Sequence, residues 1–148
     1  MRHEISQKGI PNEKMTAVPM AADVKNIPFW GHKLNVINGK RDKFVVYLGT
    51  IVRVRKMDFL LKVFKRVLAK EKNVKLLIVG GSEDPSDEKF LINEAKRLQI
   101  ENSVIITGLL SQNEAWQHIK KADVCVSPIY PTPILNCGSP TKLIEYMA

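Results

Sequence analysis

Residues 44–68 read FVVYLGTIVRVRKMDFLLKVFKRVL, and this stretch decides the fold class. Its first part, FVVYLG (44–49), is a short run of β-formers closed by a glycine, the pattern of a parallel strand buried on both faces. After a basic loop, Leu60, Val63, Phe64, Val67 and Leu68 fall at i, i+3, i+4, i+7 and i+8, which predicts a helix with one buried face. A strand followed directly by such a helix is the first half of a βαβ unit.

The rhythm repeats downstream. VKLLIVG (74–80) is a second strand; GSEDPSD has turn chemistry and leads to a helix predicted over Asp87 to Leu98. SVIITG (103–108) is a third strand, and Ser111 with Glu114 has the spacing of a capping box for a helix reaching about Lys121. ADVCVSP (122–128) is the fourth strand. Alternating strands and helices joined by right-handed crossovers give a parallel sheet covered on both sides. The predicted fold is therefore α/β, a Rossmann-like doubly wound domain over 44–148. Gly49, Gly80, Gly108 and Pro128 end the four strands and let the chain turn sharply there. Residues 1–43 are predicted to be a connector on the surface, with one short strand at MTAVPM (15–20) and Trp30 packed on the domain.

Composition limits the function. With 148 residues and 45% hydrophobic content, one core-bearing domain is expected. No apolar run approaches the ~20 residues needed to span a bilayer, and MRHEISQKG lacks a signal-peptide core, so a cytoplasmic location is expected. Cys125 and Cys137 have neither CxxC nor Cys/His spacing, so neither a disulfide nor a metal site is expected. The net charge of +8, from 23 basic and 15 acidic residues, suits polyanions, anionic lipids or phosphorylated small molecules. The basic residues are scattered over helix faces, without interleaved aromatics or an RNP, KH or zinc-finger pattern, and no nucleic-acid partner is assigned.

If the strands take the common order 3-2-1-4, the crevice lies between the loops after strands 1 and 4. The first loop carries Arg53, Arg55 and Lys56. The second ends in NCGSPTKLIEYMA (136–148), where Ser139 at N-cap and Pro140 at N1 read as a helix start. A helix start offers free amides and partial positive charge to phosphate, here from Ser139, Thr141, Lys142 and Leu143, with Gly138 allowing close approach. Arg55 or Lys56 would neutralise a second phosphate oxygen, so the combination suits a diphosphate. Glu145 lies one turn after Thr141 on the same face, where a carboxylate can accept from the vicinal hydroxyls of a ribose. From the residues alone two other readings stay open. Glu145 can be the surface residue of an amphipathic helix whose Leu143, Ile144 and Met147 face the core, and Arg55 and Lys56 can belong to a solvated loop. His3, in a terminus expected to fray, His32 in the connector and His118 on a polar helix face stand beside no nucleophile. VGGSED (79–84) lacks P-loop spacing.

VVYLGT, DFLLKVF, LLIVGG, IENSVIITGLLSQNE, KADVCVSPI and SPTKLIEYMA, in this order and spacing, resemble the donor-binding domain of family-four retaining GT-B glycosyltransferases. KGIPNEKMTAVPMAAD resembles the segment leading out of their first domain. The resemblance implies a hexosyltransferase drawing on a UDP- or GDP-sugar, without cofactor or metal, in polysaccharide or lipid-linked glycan synthesis. It implies that the SPTK helix start binds the diphosphate, Glu145 the ribose, and Arg55 or Lys56 the leaving group, with Gly49 and Thr50 at the crevice and Gly108, Leu109 and Leu110 passing the base. Where many members have a sugar-binding Glu, this chain has Cys137; where many have Arg after the first strand, it has Thr50. The family's preceding acceptor domain with its active-site His, and two strands and closing helices after EYMA, have no counterpart here, so a truncated donor half, inactive alone, is expected. Peripheral contact with the cytoplasmic face of a membrane and pairing of two copies through the edge of strand 4 are further expectations. The alternative is a non-catalytic interaction or polyanion-binding domain.

Overall fold

The computed structural model describes residues 2–22, 42–133, 135, 138 and 140–147. Strand β1 (Lys43–Leu48) lies between β2 (Val74–Val79) and β4 (Val124–Cys125), with β3 (Val104–Ile106) beyond β2. The order is 3-2-1-4 and every pairing within the sheet is parallel, as predicted. β1 and β2 pair in full register from Lys43↔Val74 to Leu48↔Val79.

Period-two alternation along β2 separates two apolar clusters. Leu76 and Ile78 meet helices α2 (Met57–Leu68) and α3 (Pro85–Arg97) on one side, with Tyr47, Ile51, Leu91 and Ala95. Leu77 and Val79, with Val46, meet Ala115 of α4 (Gln112–Ile119) on the other. Burial on both faces is why these strands read as continuous apolar runs.

The buried face of α2 differs from the prediction. Met57, Leu60, Leu61 and Phe64 are buried, whereas Val63 and Val67 are 41% and 37% exposed. The sequence offers two overlapping stripes of helical period, and the sheet selects the one centred on Leu61 and Phe64. Phe59, on the exposed side, meets the edge of Tyr130 with centroids 5.5 Å apart. α3 begins two residues earlier than predicted: the Asp84 side chain accepts from the Ser86 amide at N-cap, and Pro85 takes N1, so part of the supposed turn is a helix start. The capping box of α4 forms as read, the Ser111 side chain accepting from the Glu114 amide while Glu114 accepts from the Ser111 amide.

No strand forms at MTAVPM. The chain instead opens with a short helix, α1 (Arg2–Ser6), and a 3-10 turn at Asn12–Lys14. Arg2 ties them by donating to the Asn12 and Met15 carbonyls, and His3, expected to fray, sits within α1 with its Nε2 at 3.0 Å from the Gln7 side-chain Nε2. Trp30 and His32 lie outside the described residues.

β4 is much shorter than the predicted 122–128. The Asp123 amide donates to the Phe44 carbonyl and the Val126 amide to the Val46 carbonyl. The next donor on β1, the Leu48 amide, turns instead to the Tyr146 hydroxyl at 2.7 Å. Pro128, without an N–H, could not extend the ladder. The two strands therefore part at their carboxyl ends, and the last helix, α5 (Thr141–Met147), fits beside the gap.

Candidate active site

Two adjoining cavities open at the carboxyl ends of the strands. The first, about 290 Å³, is bounded by Gly49, Thr50 and Arg55 after β1, Ser127 to Ile129 after β4, and Gly138, Pro140, Thr141 and Lys142 at the entry to α5. The second, about 350 Å³, continues past Gly80 and Gly81 to Leu109, Leu110, Gln112 and Trp116, with Lys142 and Glu145 on its α5 side. Gly80 is required where the two loops cross: at φ +135° a side-chain carbon there would lie 2.3 Å from the Gly49 carbonyl oxygen.

The basic loop sorts its three cations. Arg53 turns away toward α3: its amide donates to the Asp87 carboxylate at 3.0 Å, its guanidinium pairs with the same carboxylate at 3.4 Å and lies 4.8 Å from the centre of the Phe90 ring. That anchor holds the 3-10 turn Arg53–Arg55 and leaves Arg55 facing the first cavity. Its guanidinium is 3.4 Å from the Tyr47 hydroxyl, which in turn donates to the Thr50 carbonyl at 3.4 Å. Lys56 occupies the left-handed conformation at φ 55° where α2 begins and lines neither cavity. Of the two candidates for the leaving group, Arg55 is the one the fold brings to the crevice.

On the opposite wall, Thr141 and Lys142 open α5. The Leu143 amide, expected to face phosphate, donates to the Pro140 carbonyl at 3.2 Å, because the first turn closes tightly. Its side chain is 47% exposed and Met147 is 80% exposed, so neither faces the core as the amphipathic reading of this helix required. Glu145 points to the second cavity and accepts from the Lys142 ammonium at 3.0 and 3.3 Å. Leu109 and Leu110 line that cavity, and Gly108, at φ +73°, lies opposite Gly80 in an isolated bridge. Ser139 and Cys137 lie outside the described residues.

Tyr146 escaped the reading of the sequence. Its hydroxyl accepts from the Leu48 amide at 2.7 Å and donates to the Leu48 carbonyl at 3.4 Å, pinning α5 to the end of β1. Burial raises its pKa above the usual tyrosine value. The partners stand 98 residues apart, and no local pattern marks such a contact. Gln112 and Trp116 were also missed, although their i, i+4 spacing on the capped helix places both on one face. The Cys125 thiol, likewise raised by burial, is a packing group. Among the described residues no three His, Cys, Asp or Glu side chains gather into a metal site.

A parallel sheet of order 3-2-1-4, opening a crevice where β1 and β4 part, is the frame of a Rossmann-like ligand-binding domain. Residues 33–148 match the family described as glycosyl transferases group 1, and the chain belongs to that family. It is 32% identical over 95 residues to the α-monoglucosyldiacylglycerol synthase of Streptococcus pneumoniae, a match covering 64% of this chain and 20% of that one. The chain thus spans about a fifth of the length of that curated relative. In fold it is similar to a mutant of S. aureus TarM in complex with fondaparinux, α-GlcNAc-glycerol and UDP (TM-score 0.61, 16% identity, 84% of this chain and 22% of that one). It is similar also to the lipopolysaccharide outer core galactosyltransferase WaaB (TM-score 0.53, 20% identity, 84% and 33%). These likenesses support the GT-B half-fold expected from the sequence.

Proposed function

We propose that the chain is the donor-binding part of a glycosyltransferase that moves a sugar from a UDP- or GDP-sugar to a glycan or lipid-linked acceptor. The observation that carries the reading is the placement of Arg55 and Lys142, cations from distant parts of the sequence, along one crevice at the carboxyl ends of β1 and β4. Such a pair suits the two phosphates of a nucleoside diphosphate. Arg55 stabilises the negative charge that grows on the leaving diphosphate as the glycosidic bond breaks, in a geometry set beforehand by the Asp87 anchor. The amides of Thr141 and Lys142 add donors at the helix start. Glu145 accepts from ribose hydroxyls, and the segment Gly108 to Leu110 walls the side where the base lies.

In this reading the acceptor belongs to a further domain of the kind the resemblance implies, and this chain alone binds donor without transferring it. A cytoplasmic site, with contact to a membrane face through the net positive charge, fits a lipid-linked acceptor. The exposed edge of β4, where Val124 is 54% exposed, pairs with a second copy at high concentration; a monodisperse monomer in light scattering would contradict that pairing.

The test is titration of the folded protein with UDP and GDP, followed by amide NMR. Shifts centred on Gly49, Thr50, Gly138 and Thr141 to Lys142, extending to Glu145 and Gly108 to Leu110 and weakened by Arg55→Ala, support the reading. Absence of any shift at millimolar ligand refutes it.

A further inference from the structure

Among the described residues Lys142 is the one side chain with an ionisable group that lines both cavities, and its ammonium rests on Glu145, three residues on. The pair is only partly exposed, the lysine side chain at 40% and the glutamate at 20%. Across the first cavity stands Arg55. Among the described residues Glu145 is the one acidic side chain on the walls of these cavities; Asp87 holds Arg53, and Glu88 accepts from the Ser82 amide at 2.8 Å. Glu145 is therefore the carboxylate that competes with an incoming anion for Lys142.

We infer that Lys142 is a shared counter-ion which a diphosphate takes from Glu145, so that phosphate binding releases the carboxylate for the hydroxyls of the same ligand. The inference rests on the nucleotide reading above and deepens it, by making recognition of the phosphates and of the ribose interdependent. A bare diphosphate must break the ion pair and recovers nothing at Glu145. A nucleoside diphosphate breaks the same pair and uses both freed groups, phosphate on the ammonium and hydroxyls on the carboxylate. The ion pair thus costs every phosphate ligand the same, and the carboxylate that it frees returns part of that cost only to a ligand that carries sugar hydroxyls. No covalent step is involved; only hydrogen bonds and charge contacts exchange.

The experiment is a double-mutant cycle on the full chain, using Lys142→Gln, Glu145→Gln and the double variant. Pyrophosphate, UDP and GDP are titrated calorimetrically at about 0.15 M salt, where charges beyond ~8 Å are screened. Glu145→Gln is expected to tighten pyrophosphate about threefold to fivefold, the size of an exposed ion pair, and to lower the ratio of nucleoside diphosphate to pyrophosphate affinity. Lys142→Gln weakens both ligands and leaves that ratio within about twofold of wild type, because Glu145 remains to meet the ribose. In the Lys142→Gln background, Glu145→Gln no longer tightens pyrophosphate.

A gain that persists without Lys142 is a through-space charge effect and overturns the inference, as does a Glu145→Gln variant that binds pyrophosphate no more tightly than wild type. Wild-type protein that binds pyrophosphate but neither UDP nor GDP removes the nucleotide reading, while the pyrophosphate arm still decides the handover. Wild-type protein that binds none of the three at millimolar concentration overturns both. Should Glu145→Gln fail to fold, Glu145→Ala runs the same cycle.

Discussion

Replacing Tyr146 with phenylalanine removes one oxygen atom and, with it, both bonds to Leu48. The stronger of them satisfies a backbone amide at the point where β4 has left the sheet, so the variant leaves that N–H without its partner. An unsatisfied buried donor costs about 1–3 kcal/mol; the Leu48 amide is part-buried, so we expect a loss of about 1–2 kcal/mol with the core otherwise intact. Urea unfolding followed by circular dichroism reads this directly: at an m-value of about 1–3 kcal/mol per molar, the midpoint falls by about 1 M. A pH series supplies an independent check. Burial holds the Tyr146 phenol protonated above its ordinary value of 10.0, so the folded state binds this proton more tightly than the unfolded chain. The associated stability is complete below pH 10.0 and is lost as the pH rises further, with a slope of up to about 1.4 kcal/mol per unit. The phenylalanine variant lacks that portion of the alkaline loss. α5 is also released at one end, so binding of UDP or GDP should weaken in the same variant. A midpoint unchanged to within about 0.3 M urea, with the alkaline slope of wild type retained, would refute the assignment of Tyr146 as the tie between helix and strand.

Four further outcomes follow from particular contacts. Arg55→Ala should weaken nucleoside diphosphate binding by about tenfold, as loss of a charge-assisted contact does, while Lys56→Ala changes it by less than about twofold; calorimetry on both variants separates the two cations. Lys56→Gly should raise stability by about 1 kcal/mol, since glycine accepts the left-handed conformation at φ 55° without strain, and an unchanged or lower unfolding midpoint would count against it. Leu61→Ala should cost about 2–5 kcal/mol, whereas Val63→Ala costs under about 1 kcal/mol; equal losses would mean that α2 presents a different face. Asp87→Ala should lower stability by about 1–2 kcal/mol and should also weaken diphosphate binding, because Arg55 rides on the turn that Asp87 anchors; an unchanged affinity would show that Arg55 is positioned without it.

How much was legible follows from how local each signal is. The four strands and the four helices of the domain came from periodicity and chain rhythm, since hydrophobic spacing and strand length are written over a few residues, whereas the order of the sheet was taken as the common one for doubly wound folds. The N-caps at Ser111 and Asp84 show the same rule from two sides: Ser111 was read from its partner three residues on, while Asp84 was hidden within a run of turn formers. The stripe of α2 was misjudged because two apolar stripes overlap on one helix, and only the sheet beneath chooses between them.

The chain's amino acids by themselves determined a doubly wound α/β domain, the strand ends that bear the site, and the two loops that supply its charge. Tertiary structure alone decided which cation enters the crevice, because Arg53 is diverted by Asp87 and Phe90, groups more than thirty residues away, and Lys56 is used in the turn of the backbone. It alone decided that β4 breaks off where Tyr146 replaces its next hydrogen bond. Periodicity records which face of an element is apolar; it carries no record of which distant partner satisfies a given amide or charge, and the candidate site is built from such partners.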